Sequence, residues 1–97
     1  MAATLRESLL RTLILAWRSS ASRAEADADE ASMVEDALRL TGSGVATSDL
    51  HFELREFERE GLAVKVVSVS PRGASYRLTD AGVAMAGRRW PSEGGAS

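Results

Sequence analysis

The sequence predicts a mainly helical α+β domain with a small β-hairpin, in the order helix-helix-helix-strand-strand-helix. Apolar residues recur at helical spacing in three segments that are bounded by cap or stop residues. A Val-rich run turns back through Pro71-Arg72-Gly73-Ala74 into a second short run, the pattern of a hairpin. Thr79-Asp80 then signals one more helix start.

The elements follow in order. Over residues 4–19, Leu5, Leu9, Leu10, Leu13, Ile14, Ala16 and Trp17 share one helical face, with Arg6, Glu7, Arg11 and Arg18 elsewhere. Residues 19–30 are rich in Ala, Ser and acids, have no apolar side chain larger than Ala, and read as a loop. Ser32-Met33-Val34-Glu35 matches a capping box that opens a second helix. That helix is expected to reach about Leu40, with Met33, Val34, Ala37 and Leu38 inward, and to stop at Thr41-Gly42-Ser43-Gly44. Thr47 or Ser48 is expected to cap a third helix, with Asp49 in its first turn and Gly61 at its end. Residues 63–70 read as one strand and 75–78 as the returning one. The last helix is expected to end near Arg88, leaving 1–89 as a single domain and 90–97 as a loose tail.

The chain has 97 residues, enough for one domain, and a domain this small buries only about 60–65% of its unfolded surface. Cysteine is absent, which excludes disulfides and thiol chemistry and fits a cytoplasmic location. The longest apolar stretch, residues 13–17, is far short of the roughly 20 residues that span a bilayer, so no membrane partner is expected. Charged side chains interrupt the first helix, which argues against a secretory signal. The net charge of −2 is unevenly placed: +2 over 1–22, −5 over 23–36, −2 over 37–60 and +3 over 61–97. That balance speaks against tight, nonspecific nucleic-acid binding by one copy.

A short Gly-containing connection between the second and third helices, followed by a hairpin, is the layout of a helix-turn-helix with a β-hairpin wing. Residues 54–63 read L-R-E-F-E-R-E-G-L-A; the Val-rich strand follows, and then Tyr76-Arg77-Leu78-Thr79-Asp80-Ala81-Gly82. This resembles the winged helix-turn-helix domains of small bacterial regulators, over about residues 32–87. The chain as a whole also resembles the small winged-helix proteins of Mu-like phages and prophages, through Ser32-Met33-Val34-Glu35-Asp36-Ala37-Leu38, the alanine-rich acidic loop before it and the polar tail. The resemblance implies a transcriptional regulator that reads double-stranded DNA with helix 47–60 and wing 70–76, most simply as a homodimer built on the first and last helices.

Viewed down the third helix, Leu50, Leu54 and Phe57 form the core face. Ser48, Phe52, Arg55 and Arg59 point the other way, with Asp49, Glu53, Glu56 and Glu60 as an acidic stripe on one flank and His51 on the other. Arg55 and Arg59 suit phosphates or a guanine edge, Ser48 and His51 can reach phosphate or base, and Phe52 can meet a thymine methyl. The same face also suits a protein partner, anchored on Phe52, or plain solvation with pairs such as Glu56–Arg59 and His51–Arg55. Arg72 at the wing tip and Arg77 on the returning strand suit the flanking backbone, while Arg88 and Arg89 complement the end of the last helix. Leu5, Leu9, Trp17 and Trp90 are the expected dimer-interface residues.

No catalytic arrangement emerges. The acidic stripe provides no enclosing cage for a metal, Gly42-Ser43-Gly44 lacks the Lys of a phosphate loop, and no nucleophile has a base beside it. No enzyme activity, cofactor or metal is expected. Two functions remain: a DNA-binding regulator, or a winged helix used as a protein-interaction module.

Overall fold

A computed structural model describes residues 4–20 and 26–91 of the chain. They form a mainly helical α+β domain: α1 (Leu5–Ser19), β1 (Ala28–Asp29), α2 (Glu30–Thr41), α3 (Thr47–Arg59), β2 (Ala63–Val67), β3 (Ser75–Leu78) and α4 (Asp80–Arg89). The three strands make an antiparallel sheet in the order β1-β3-β2. Among the described residues, no helix is long and apolar enough to cross a membrane.

Local chemistry explains most helix ends. Thr4 opens α1 in a capping box, its hydroxyl accepting from the Glu7 N–H at 3.1 Å while the Glu7 carboxylate accepts from the Thr4 N–H at 3.2 Å. At the end of α3 the Leu62 N–H donates to the Phe57 carbonyl at 2.9 Å and the Gly61 N–H to the Glu58 carbonyl at 3.1 Å. This Schellman pair satisfies the last carbonyls and turns the chain into β2. Thr79 caps α4 through the Gly82 N–H at 3.1 Å.

The core is assembled from every helix and from the hairpin. Leu9, Leu10, Leu13 and Ile14 of α1 pack with Met33 of α2, Leu50, Leu54 and Phe57 of α3, Tyr76 and Leu78 of β3, and Ala86 of α4. The predicted inward faces of α1 and α3 are thus the observed ones. On α2, Met33 and Ala37 are buried as expected, but Leu38 is 51% exposed. The helix also starts earlier than expected, with Glu30 as its first residue.

Three further expectations are corrected. Ser32 does not cap α2; Asp29 does, its carboxylate accepting from the Ser32 N–H at 2.8 Å. Asp29 can do so because β1 delivers it in an extended conformation, and β1 itself lies inside the stretch read as a loop. Neither Thr47 nor Ser48 caps α3, because Ala46 takes the N-cap position and offers no side-chain bond. The strand expected over 63–70 ends at Val67, and a bulge between Lys65 and Val67 shifts its register against β3. The expected acidic loop and tail lie in part outside the described residues, at 21–25 and 92–97.

Two close approaches define the hairpin and α4. A Cβ on Gly82 would overlap the Leu62 carbonyl oxygen and stand 2.9 Å from Leu78 Cδ2. That same carbonyl accepts from the Thr79 N–H at 2.9 Å, so α4 starts against the β2 entry with no room for a side chain. Gly82→Ala is therefore expected to destabilise the domain by about 1–3 kcal/mol in denaturant melts. In contrast, the Ser8 hydroxyl is buried and has no hydrogen-bond partner among the described residues. Ser8→Ala removes an unsatisfied buried group, and the same melts should show stability unchanged or raised by about 1 kcal/mol.

Candidate nucleic-acid interface

The outward surface of α3 and the adjoining face of the hairpin form the candidate site. Ser48, Phe52, Arg55 and Arg59 are all exposed on α3, and Phe52 is 58% exposed. The core contacts of Leu50, Leu54 and Phe57 fix the rotation of the helix and so force this face outward. Between α3 and the sheet lies an open cleft of about 400 Å³, with His51, Arg55 and Glu58 on one wall and Lys65, Ser68 and Tyr76 on the other.

Lys65 is the chain's single lysine, and the sequence reading did not single it out. Its ammonium stands 5.8 Å from the Tyr76 ring, and Tyr76 is its cross-strand neighbour on β3. Burial pushes the Tyr76 hydroxyl up from its ordinary pKa, with Lys65 opposing the shift. The signal that could have found Lys65 is its place in an otherwise apolar strand, at the alternation point that faces α3.

The acidic stripe of α3 is less free than the sequence suggests. Arg6 of α1 stacks over the Phe57 ring at 4.7 Å and bridges Glu53 at 3.6 Å and Glu60 at 2.6 Å. Arg59 pairs with Glu56 at 2.5 Å, and that hydrogen bond and charge raise its already high pKa. Three of the four stripe acids thus have cationic partners, and Arg59 is committed to one of them. Arg55 has no ion-pair partner among the described residues.

His51 neither pairs with Arg55 nor stands free. Its Nε2 lies 3.0 Å from Glu30 Oε1, across to the start of α2. Glu30 Oε2 also accepts from the Ala74 N–H at 3.1 Å, so one carboxylate ties α2, α3 and the hairpin together. The Glu30 and Ala31 N–H groups, orphans of the first turn of α2, donate to the Ala74 and Arg72 carbonyls at 3.0 and 3.1 Å. Gly73, at φ 91°, passes so close that a Cβ would meet Glu30 Cβ at 2.8 Å.

Arg72, at the hairpin turn, is therefore not a free cation. Its Nε donates to Asp29 Oδ2 at 2.9 Å and an Nη to Ser32 Oγ at 3.3 Å, folding the side chain back onto α2. Arg77 sits half-buried on β3, on the sheet face opposite Tyr76, away from the cleft. Of the expected dimer-interface residues, Leu9 is 0% exposed and wholly used by the chain's own core. Leu5, Trp17 and Trp90 are partly buried against that core. Arg18 donates to the Trp90 carbonyl, and Arg89 pairs with Glu7 while lying 5.5 Å from the Trp90 ring. These contacts join α1 to the end of α4 within one chain.

No family model, curated protein or solved structure gives a significant match to this chain.

Asp29 yields a pH prediction. Burial alone would raise its pKa, but the Ser32 N–H and the Arg72 guanidinium outweigh burial and hold it below the ordinary 3.8. A depressed carboxylate contributes stability that is present above its unfolded value and is lost as pH falls through the folded one. The stability gap between wild type and Asp29→Asn should be widest near neutral pH. It should close on acidification below about pH 4, measured by denaturant melts across pH.

Proposed function

We propose that this chain is a winged-helix DNA-binding protein, a small regulator of the phage or prophage type that its sequence resembles. The observation that carries the reading is the state of α3's outward face. Arg55 is exposed and without an ion-pair partner among the described residues, between Phe52 and the Lys65 side of the cleft. The neighbouring acids Glu53, Glu56 and Glu60 are engaged by Arg6 and Arg59. In this reading α3 enters the major groove, Ser48 and Arg55 meet phosphate or base edges, and Phe52 meets a thymine methyl. Lys65, at the cleft wall, approaches the phosphate strand that runs between helix and wing. His51 and Arg72 act by holding the wing to α2, and thus set the angle between wing and α3.

A second reading, a winged helix that binds protein, is favoured by one specific observation. Phe52 stands 58% exposed at the centre of the face, the position of an interface anchor.

Anisotropy with labelled duplex at fixed salt separates the two. Arg55→Ala should weaken DNA binding roughly 5- to 150-fold, equivalent to about 1–3 kcal/mol for a lost Arg contact. Arg72→Ala should act mainly on stability and only weakly on binding. Equal DNA affinity for wild type and Arg55→Ala would remove the DNA reading. Loss of a protein complex in Phe52→Ala, with the fold intact, would support the second.

A further inference from the structure

Four of the seven exposed large hydrophobic residues among those described lie on or just beyond one strand: Val64, Val66 and Val67 of β2, and Val69, which is 86% exposed. β2 is also an edge strand, with β3 on one side and, among the described residues, no strand on the other. A hydrophobic edge of this kind is a template for another strand. The usual guards are weak here. The one lysine, Lys65, leans over the Tyr76 ring at 5.8 Å, and the bulge takes up a single residue, Val66.

We propose that β2 pairs antiparallel with β2 of a second copy about a two-fold axis normal to the sheet, joining two three-stranded sheets into one of six strands. The register follows from the side chains. Val64 and Val67 lie on the outer face, opposite Arg77 and Ser75 of β3, whereas Lys65 and Ser68 face the cleft. With Val66 as the extra residue, the matched pairs are Val67 with Val67, Val64 with Val69, and Lys65 with Ser68. Every outer-face pair is then Val against Val, and no lysine opposes a lysine. An incoming strand must offer a free edge, apolar side chains on that face and no cation opposite Lys65, and this chain's own strand meets all three conditions. Pairing would carry β2 on through Ser68 and Val69, whose exposure is otherwise unexplained. A two-fold contact is isologous and covers both open edges at once, so it closes at a dimer. The axis also keeps both copies of α3 on the same side of the joined sheet. The α1–α4 face competes poorly, because Leu9 is buried and Trp17 and Trp90 pack on the chain's own core. This inference does not depend on DNA binding.

Sedimentation equilibrium of the full chain should give twice the 10.4 kDa chain mass. Val67→Lys places two cations against each other at the axis and should halve that mass while leaving the circular dichroism spectrum unchanged. The chain has no cysteine, so Val67→Cys is a direct readout of the register: oxidation should link residue 67 to residue 67 and yield a covalent dimer. Leu38→Cys, on an exposed site of α2, should form no covalent dimer under the same oxidation. A wild-type monomer at every concentration would overturn the proposal, including one whose β2 edge takes only another protein's strand. So would a dimer that persists in Val67→Lys without crosslinking through Val67→Cys.

Discussion

Two consecutive acids, Asp29 and Glu30, join the parts of this domain that must keep a fixed mutual geometry. The Asp29 backbone pairs with β3, its carboxylate caps α2, and the same carboxylate receives Arg72 from the hairpin. Glu30 reaches both the Ala74 N–H and His51 of α3. The first N–H groups of α2 donate to hairpin carbonyls, so the positive end of the helix and the turn of the hairpin satisfy each other. The start of α2, the middle of α3 and a β-turn are thereby fastened at one place. The fastening is possible only because Gly73 lets the turn pass close to Glu30.

Electrostatics on α3 depend on that arrangement and on α1. A helix with five acids in or next to it would repel phosphates if all were free. Arg6 stacks on Phe57 and spans Glu53 and Glu60, while Arg59 is held by Glu56. These exposed pairs add little stability, but they decide which charges the surface presents. The cations with side chains available on this face are Arg55 and, across the cleft, Lys65. The proposed DNA surface is therefore narrower than a count of arginines implies.

Much of the fold was legible in the sequence because the signals were local. Thr79 and Asp80 announced α4, the periodicity of Leu50, Leu54 and Phe57 gave the core face of α3, and Pro71-Arg72-Gly73 marked the turn. What escaped was set by distant partners. β1 is an Ala-Asp dipeptide with no strand propensity, and it is extended because β3 offers an edge. Ser32-Met33-Val34-Glu35 is a sound capping box in isolation, but Asp29 arrives first with its backbone already extended. Within the candidate site, the exposure of Phe52 and Arg55 followed from helical phase alone. The diversion of His51 and Arg72 to Glu30 and Asp29 did not, since those partners lie 21 and 43 positions away in the chain.

Salt dependence is the sharpest probe of the proposal that α3 and its cleft engage phosphate-bearing duplex. Anisotropy titrations of the wild-type chain against mixed genomic duplexes, run from low to moderate salt, report how many phosphates are neutralised, at a log–log slope of about −0.9 for each. A DNA-binding α3 should bind at low salt and release steeply as salt rises. No binding even at the lowest salt would contradict it and leave Phe52 as the anchor for a protein partner.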